Sequence, residues 1–354
     1  MIKSFELENF GPISSLKADD LGKINLIIAE NSKGKTFVLK ALYSVLKSHE
    51  EAHKGKNNRD FSEELRDKLY WTFQVEEIGD LVTRGKENSN ERPLKLSMTL
   101  EDNSSVLFSF GRSTKKLIKP ELYKLSPRIN ANSIFLPPKE VLSLFDVIKK
   151  SEEEKRFGFD ATYIDLVKAL DIKPTKGKNY PEAAEARKDL EALFGGYVSY
   201  NDKKKAWVYE KDRQTFSINS TAEGVKKIGI LETLLGNRFL SPGSILFIDE
   251  PEANLHPKAI NQFLEILFSL SKSKLRIQIF MSTHSYFVIK KLCLLARKHS
   301  ESIPVFMPRK EKEQTTWVQE NLQNSMPDNE IIDESIRLFR EEIGILSPET
   351  AWIG

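Results

Sequence analysis

The chain has 354 residues and a formal net charge of +3, with 40% hydrophobic and 30% charged residues. This is the composition of a globular protein, and it excludes a disordered chain. Because no run of about 18 apolar residues is present and the first residues lack an apolar signal-peptide core, we expect no membrane association. Cys293 is the only cysteine, which excludes an intrachain disulfide and favours a cytoplasmic protein.

The N-terminal segment predicts strands, a loop and a helix. Residues 2–13 alternate between apolar and polar side chains as far as a turn at Gly11-Pro12, which predicts a strand. Residues 24–28 are a short apolar run typical of a buried strand. From Phe37 to Leu46 the apolar residues recur at helical spacing. Residues 24–47 are therefore predicted to form a strand, a loop and a helix.

The middle of the chain predicts helices interrupted by hairpins. Residues 50–92 are polar with a mostly helical pattern, and residues 94–110 alternate like a hairpin. A buried strand is predicted at 133–136, followed by a largely helical segment over 140–196 and a second hairpin over 197–219.

From residue 225 onward, helices and strands alternate. Helices are predicted at 225–240 and 257–270, and apolar strands at 245–248 and 277–281. This alternation is typical of an α/β fold with a parallel sheet. We expect one domain over 1–354, with N-terminal strands and phosphate loop (1–48), a helical and β insertion (49–140), a helical subdomain and hairpin (141–219), and a C-terminal segment (220–354).

A phosphate-binding loop is predicted between the strand at 24–28 and the helix that follows it. The segment reads Ala-Glu-Asn-Ser-Lys-Gly-Lys-Thr over residues 29–36. Backbone N–H groups of such a loop and the positive end of the helix dipole bind phosphates, while Lys35 would reach the β- and γ-phosphates and Thr36 would bind Mg²⁺. Glycine usually stands where Ala29 does, but alanine is the smallest replacement, so nucleotide binding is expected to survive. The predicted nucleotide-binding residues of the loop are Asn31, Ser32, Lys33, Gly34, Lys35 and Thr36.

Two adjacent carboxylates follow the apolar strand at 245–248. Ligands bind at the carboxyl ends of strands in open parallel sheets, so Asp249 is predicted to hold Mg²⁺, directly or through water. Glu250 is predicted to orient or deprotonate the attacking water, since phosphoryl transfer depends on such positioning. A solvated loop is the alternative for this pair alone, and the phosphate loop upstream favours the catalytic interpretation.

Residues 220–227 allow two interpretations. Ser220 and Glu223 have the spacing of a capping box at the start of a helix, which is a structural role. Alternatively, Ser220, Glu223 and Gly224 contact the γ-phosphate of a nucleotide held by a neighbouring subunit.

His284, just beyond the strand at 277–281, also allows two interpretations. A histidine after a buried strand is often structural. At the edge of a nucleotide site it would hydrogen-bond the γ-phosphate and Glu250. The predicted catalytic residues are Glu250, His284 and Lys35.

These motifs stand in the order of a known family. The sequence resembles the ABC-type ATPases of the SMC, RecF and OLD group, and in particular the stand-alone ATPases of bacterial anti-phage defence operons. Besides segments 29–36 and 220–227, the resemblance rests on residues 5–12, on Asp-Glu-Pro-Glu-Ala-Asn-Leu-His-Pro over 249–257, and on Ser-Thr-His-Ser over 282–285. The stretch at 249–257 is the most specific, because transporter ATPases usually carry a Thr-Ser-x-Leu-Asp type of continuation there.

The resemblance implies an α/β ABC-type P-loop NTPase head with a central, mostly parallel sheet, an N-terminal antiparallel β subdomain and a helical insertion. It implies that two subunits sandwich two ATP molecules with Mg²⁺, and that ATP binding closes the dimer and hydrolysis opens it. Each ATP would contact Lys35, Thr36, Asp249, Glu250 and His284 of one subunit and residues 220–224 of the other. Asn254 would lie in the loop that crosses the dimer interface. The implied partners are a second copy, in a homodimer or a higher even-numbered oligomer, and a separately encoded effector protein.

The sequence departs from the family pattern at two further points. Residues 220–224 differ from the transporter-type Leu-Ser-Gly-Gly, and the glutamine that usually senses Mg²⁺ is not identified. Gln74 has helical surroundings that do not suit this role. Lys139 or Glu140, after the strand at 133–136, is the candidate replacement.

Two kinds of charged cluster suggest further ligands. The basic clusters comprise Arg112, Lys115, Lys116, Lys119, Lys124 and Arg128, and then Lys203, Lys204 and Lys205 beside Trp207 and Tyr209. Such patches can follow a nucleic-acid backbone, so nucleic acid stays open as a partner, although solvated hairpins give the same pattern. The acids Asp328, Glu330, Asp333 and Glu334 could suggest a metal site, but we interpret them as the start of a helix over 331–343.

The function expected from these observations is an ATP-binding and hydrolysing switch that dimerises around ATP. As its role we expect the sensor or regulatory ATPase of an anti-phage defence or toxin-effector system. The first alternative is a RecF-like DNA repair or recombination ATPase. The second is a nucleotide-binding scaffold with little hydrolysis, and the Leu-His-Pro continuation disfavours a third, a transporter subunit.

Overall fold

A computed structural model of the chain describes residues 1–52, 59–84, 92–115, 117–126, 131–154, 158–173, 179–311 and 314–346. In chain order, the strands are β1 (Ile2–Phe10), β2 (Ile13–Ala18), β3 (Ile24–Ile28), β4 (Leu94–Leu100), β5 (Ser105–Phe110), β6 (Pro120–Lys124), β7 (Ser133–Leu136), β8 (Tyr197–Asn201), β9 (Ala206–Lys211), β10 (Gln214–Ser217), β11 (Ile245–Asp249), β12 (Gln278–Thr283), β13 (Pro304–Glu311) and β14 (Gln314–Asn321). The helices are α1 (Lys35–Ala52), α2 (Phe61–Phe73), α3 (Phe145–Glu153), α4 (Ala161–Leu170), α5 (Pro181–Phe194), α6 (Glu223–Gly236), α7 (Pro257–Lys272), α8 (Tyr286–His299) and α9 (Glu330–Leu346). Within these ranges, no helix is both long and apolar enough to cross a membrane.

Among the described residues, the central sheet has six strands in the order β14-β13-β3-β12-β11-β7. The strands from β13 to β7 run parallel, and β14 pairs antiparallel at one edge. β3 and β11 are buried along their whole length, which explains why each is an apolar run rather than an alternation of apolar and polar residues. The carboxyl ends of β3, β12, β11 and β7 therefore meet at one edge of the sheet.

Both faces of the central sheet are covered. Phe247 and Phe280 face one side, where they stack with ring centroids 5.3 Å apart and join the core with α1 and the N-terminal strands. Ile248 and Met281 face the other side and join the core formed by α6, α7 and α8. The sheet is thus the middle layer of an α/β fold.

The N-terminal strands form an antiparallel sheet in the order β2-β1-β4-β5-β6. Buried and half-buried residues alternate along β4, so one face of this sheet packs on the core and the other lies nearer to solvent. Leu7 and Phe10 of β1 share this core with Val38 and Leu42 of α1. The antiparallel sheet therefore supports the helix that follows the phosphate loop.

The predicted fold class is confirmed, with a mostly parallel central sheet, an antiparallel N-terminal sheet and a helical part formed by α3 to α6. The hairpin predicted over 94–110 is β4 and β5, whereas the segment 197–219 is a three-stranded meander in the order β10-β9-β8. Part of the helical prediction over 50–92, namely 53–58 and 85–91, lies outside the described residues. Strands β2, β6, β13 and β14 were not predicted. Prolines and charged residues obscure the alternation in β6 and β13, and at least half of the residues in β2 and β14 are polar.

Candidate nucleotide-binding site

The phosphate loop connects β3 to α1, as the sequence predicted. Ser32 and Gly34 have positive φ angles of 64° and 95°, and the amide of Val38 donates to the carbonyl of Gly34 at 3.0 Å. A Cβ on Gly34 would lie 2.6 Å from Cδ1 of Ile13 and 2.8 Å from Cγ of Pro12. Glycine is therefore required at position 34 by both backbone angle and space.

Position 29, by contrast, does not require glycine. Ala29 is buried and is not one of the residues with positive φ, so its backbone lies where any residue is accommodated. Asn31, Ser32 and Lys33 are exposed on the rim of the loop, where a ligand could reach their backbone N–H groups.

Lys35 lies at the start of α1 and is buried. Its Nζ donates to the carbonyl oxygens of Ala29 at 2.8 Å and Glu30 at 3.0 Å. Burial lowers the pKa of Lys35, although the carboxylates of Glu250 and Asp249 oppose this effect. The ammonium group therefore points across the phosphate loop, and an anionic ligand there would offer it stronger acceptors than two carbonyl groups.

Asp249 ends β11 and is almost fully buried, with 3% exposure. Oγ1 of Thr36 donates to Oδ2 of Asp249 at 2.8 Å, and Oγ of Ser282 donates to Oδ1. Burial raises the pKa of Asp249, while the hydrogen bonds from the two hydroxyls oppose the shift. A nearby cation would lower it again.

A hydroxyl and a carboxylate side by side fit Mg²⁺, which prefers oxygen ligands and usually takes only one or two from the protein when phosphates and waters supply the rest. Thr36 and Asp249 are therefore the residues that could hold this ion. Larger clusters of three or more His, Cys, Asp or Glu side chains suited to a metal are not found in the described part of the chain.

Glu250 follows Asp249 and has a left-handed φ of 52°, an uncommon conformation for a residue with a side chain. Its amide donates to the carbonyl of Ser282 at 3.0 Å. Oε1 of Glu250 lies 3.0 Å from Nδ1 of His284, which is half-exposed. The structure thus brings Glu250 and His284, two of the three predicted catalytic residues, together beside the phosphate loop.

Glu252 also belongs to this site, and the sequence reasoning gave it no role. Its Oε1 accepts a hydrogen bond from Oγ1 of Thr283 at 2.6 Å and another from the amide of His284 at 3.3 Å. It therefore holds the segment that carries His284. Glu252 could have been predicted as a site residue from its position, two residues after Glu250 and within the most specific stretch of the family resemblance.

Residues 220–227 do not form the predicted capping box. Ala222, not Ser220, occupies the N-cap of α6, and it makes no side-chain cap. Ser220 lies two residues earlier, where its hydroxyl donates to the carbonyl of Ser217 at 2.9 Å. Glu223 instead pairs with Lys226 at 2.8 Å. The helix begins two residues later than a Ser220 cap requires, because residues 218–220 form a separate 3₁₀ turn.

The predicted intersubunit residues differ in accessibility. Ser220 and Glu223 are exposed, whereas Gly224 is buried. A Cβ on Gly224 would lie 2.7 Å from Cδ2 of Leu255 and 3.1 Å from the carbonyl oxygen of Asn254. Gly224 thus allows the first turn of α6 to approach the loop that follows Glu250.

The loop after β7 lies at the same edge of the sheet as Glu250, because β7 pairs in parallel with β11. Glu140 in this loop accepts from the amide of Ser143 at 3.0 Å and lies 3.5 Å from Nζ of Lys226. Gln74 occupies the C-cap of α2, where its amide donates to the carbonyl of Tyr70 at 2.8 Å. Lys139 or Glu140 as the replacement for the missing glutamine stays a prediction.

The acidic cluster lies at the start of α9, where Asp328, Glu330 and Asp333 line a cavity together with Glu30 and Lys33 of the phosphate loop. Asn329 caps α9, since its Oδ1 accepts from the amides of Ile331 at 2.9 Å and Ile332 at 3.1 Å, and the neighbouring acids Asp328, Glu330, Asp333 and Glu334 flank this helix start. Trp207 and Tyr209 are buried in the core, so they cannot stack on a nucleic-acid base. Lys115, Lys119, Lys124 and Lys203 to Lys205 are exposed, Arg112 is half-buried, and Lys116 and Arg128 lie outside the described residues.

The phosphate loop after β3, the helix behind it and the acids at the end of β11, which is separated from β3 by β12, define the class as ABC-type P-loop NTPases. Two solved structures share the fold. The Smc head bound to the C-winged helix domain of ScpA has 13% identity and a TM-score of 0.55, and the match covers 91% of this chain and 98% of that one. The Smc head with an extended coiled coil bound to the C-terminal domain of ScpA, from Pyrococcus furiosus, has 12% identity and a TM-score of 0.53, with 96% and 99% covered.

Residues 47–290 match the family described as "AAA domain, putative AbiEii toxin, Type IV TA system". Because this match spans more than half of the chain, the protein belongs to that family of AAA-type P-loop ATPases. The matched residues include Asp249, Glu250 and His284. The phosphate loop at 29–36 precedes the matched range. The predicted resemblance to ABC/SMC-like ATPases is thereby confirmed.

Proposed function

We propose that this protein binds and hydrolyses ATP with Mg²⁺ and acts as a switch that dimerises around ATP. The observation that supports this most strongly is the meeting of Lys35, Thr36, Asp249, Glu250 and His284 at one edge of the sheet, with Thr36 bonded to Asp249 at 2.8 Å and His284 lying 3.0 Å from Glu250. These residues lie on three different segments of the chain, at the start of α1, the end of β11 and the end of β12, so their convergence depends on the fold.

In the proposed reaction, Lys35 leaves the carbonyls of Ala29 and Glu30 and binds the β- and γ-phosphates. Thr36 and Asp249 would hold Mg²⁺, which would supply charge neutralisation at those phosphates. Glu250 orients a water molecule and takes its proton while the water oxygen forms a bond to the γ-phosphorus. The bond to the bridging oxygen breaks, and ADP leaves with the electron pair. His284 holds the Glu250 carboxylate in place and donates toward the γ-phosphate.

The proposed dimer completes each site with residues 220–224 of the second subunit. Ser220 and Glu223 are exposed at the start of α6, where the positive end of the helix dipole suits a phosphate. Asn254 is also exposed, with a positive φ of 63°, as a residue at a subunit boundary would need to be. ATP bound by one subunit would thus attract the α6 terminus of the other.

The proposed role is that of the sensor or regulatory ATPase of an anti-phage defence or toxin-effector system. The family description, which names a toxin of a type IV TA system, supports this role. We further propose that the protein is cytoplasmic and acts on a separately encoded effector. The RecF-like alternative keeps the exposed lysines of the basic clusters as support but loses base stacking, because Trp207 and Tyr209 are buried.

The experiment that tests the proposed function has two levels. Purified wild-type protein should hydrolyse ATP in a Mg²⁺-dependent reaction that Lys35→Ala abolishes, and a wild type without nucleotide binding would contradict the proposal.

Cells carrying the gene with its operon should then resist phage infection, and Lys35→Ala should remove resistance. Protection that is unaffected by Lys35→Ala would contradict the regulatory role, and hydrolysis stimulated by DNA and suppressed by salt would favour the RecF-like alternative.

A further inference from the structure

Lys227 connects α6 to the catalytic loop of its own subunit. It lies in the second turn of α6, is 6% exposed, and donates from Nζ to the backbone carbonyl oxygen of Glu250. The bond therefore holds the backbone of the proposed catalytic residue and leaves its carboxylate available. Since Glu250 has a left-handed φ of 52°, which a residue with a side chain adopts only when its surroundings hold it there, such an anchor has a clear purpose.

A second contact joins the same two segments one turn earlier along α6. Gly224 approaches the loop so closely that a Cβ would lie 3.1 Å from the carbonyl oxygen of Asn254. Gly224 and Lys227 are three residues apart and therefore lie on the same side of the helix. The first two turns of α6 and the loop over 250–255 thus pack as one unit.

The electrostatic surroundings also direct Lys227 to this loop. Burial lowers its pKa to about 8, and the carboxylates of Glu252, Asp249 and Glu250 oppose that shift. A buried ammonium is costly unless acceptors and negative charges surround it, and this loop supplies both. The neighbouring Lys226 is equally buried but points elsewhere, toward Glu223 and Glu140.

We propose that Lys227 is a positioning residue that couples the two ATP sites of the dimer. This inference rests on the proposed ATP sandwich, in which the exposed start of α6 meets the ATP bound by the partner subunit. Any shift of α6 caused by that contact is passed through Lys227 to the Glu250 of its own site. Hydrolysis at one site thereby depends on ATP at the other.

The test compares wild type with Lys227→Met, Lys227→Arg and a control, Lys291→Met, whose lysine pairs with Glu265 on α7 away from the nucleotide site. For each protein, kcat, the Hill coefficient for ATP and the affinity for ADP are measured, together with the thermal unfolding temperature. ADP affinity is included because ADP occupies the phosphate loop without requiring the dimer.

Loss of one charge-assisted hydrogen bond to Glu250 should lower kcat of Lys227→Met by about 10- to 100-fold. Its Hill coefficient should fall to about 1, because the sites no longer communicate. ADP affinity should change by less than about threefold, since the phosphate loop is intact. Lys227→Arg, which can still donate to the carbonyl, should recover most of both kcat and cooperativity, and Lys291→Met should match wild type.

Wild-type kcat and cooperativity in Lys227→Met would overturn the inference. A loss of ADP affinity as large as the loss of kcat would also overturn it, because it would indicate general damage to the fold. If Lys227→Met does not fold, Lys227→Gln replaces it. The glutamine amide is compatible with a polar pocket, but its side chain is too short to reach the carbonyl of Glu250. The same losses of kcat and cooperativity are expected. A wild type that binds ATP without dimerising or cooperating would refute the proposed sandwich and this inference with it. A cooperative wild type matched by Lys227→Met would refute the inference alone.

Discussion

Nδ1 of His284 lies 3.0 Å from Oε1 of Glu250, although 34 residues separate them in the sequence (284 minus 250). The parallel pairing of β11 with β12 sets Asp249 opposite Ser282, so the residues just beyond the two strand ends are neighbours. The register of two buried strands therefore determines the geometry of the proposed catalytic pair.

Replacing His284 by alanine should lower kcat for ATP by about 10- to 100-fold, because the Glu250 carboxylate loses the partner that orients it. ADP affinity should be unchanged, since His284 does not contact the phosphate loop. Steady-state kinetics and calorimetric titration with ADP provide the two measurements. His299→Ala, at the exposed end of α8, serves as the matched control and should behave as wild type. A parallel loss of kcat and ADP affinity in His284→Ala would indicate a structural role instead.

Replacing Thr36 by valine should raise the Mg²⁺ concentration needed for half-maximal hydrolysis by about tenfold or more, because the side chain keeps its shape but loses the oxygen beside Asp249. Thr36→Ser keeps that oxygen and should stay close to wild type. Titration of the ATPase rate with MgCl₂ at saturating ATP tests both variants. An unchanged Mg²⁺ requirement in Thr36→Val would show that Thr36 is not a ligand.

Two substitutions in the phosphate loop should have opposite outcomes. Gly34→Ala should weaken ATP binding by about tenfold or more, because its φ of 95° is strained for alanine and the new Cβ would lie 2.6 Å from Ile13. Ala29→Gly should change affinity by less than about threefold, since position 29 does not need a glycine conformation. Equilibrium titration with ATP measures both. Much tighter ATP binding by Ala29→Gly would show that the native alanine limits the affinity of the loop for ATP.

Protonation of Glu232 should make stability depend on pH. Burial raises its pKa from 4.5 to about 7, although Arg187 opposes the shift, so the folded state holds this proton more tightly than the unfolded state does. Its contribution to stability is therefore present at low pH and is lost as the pH rises to about 7. Glu232→Gln stays neutral at all these pH values. The free energy of unfolding of the variant should therefore rise relative to that of wild type between about pH 5 and pH 8, by at most about 3 kcal/mol.

Chemical denaturation of wild type and Glu232→Gln at several pH values measures this difference. Glu185→Gln, on the exposed side of α5, should show a constant difference from wild type over the same range. A difference for Glu232→Gln that does not grow with pH would mean that Glu232 is ionised in the folded state at all these values.

The sequence predicted the phosphate loop and the acids after β11 because each motif is continuous and follows an apolar strand. His284 was predicted in the same way, from its position after β12. The sequence could not predict the bond between Lys227 and Glu250, because it depends on how α6 packs against a loop 23 residues away in the sequence. The capping box at Ser220 was wrong for a related reason, since an extra 3₁₀ turn over Ile218–Ser220 moved the helix start to Glu223.

The central claim, a dimer closed by ATP, is tested most directly by the native mass of the Glu250→Gln variant with and without ATP and Mg²⁺. This variant should bind ATP without hydrolysing it, because the glutamine cannot accept the proton of the attacking water. We predict a monomer of 40.6 kDa without nucleotide and a dimer, or a multiple of dimers, with ATP. The double variant Lys35→Ala/Glu250→Gln should stay monomeric in both conditions. A Glu250→Gln protein that binds ATP yet keeps the mass of a monomer would contradict the account.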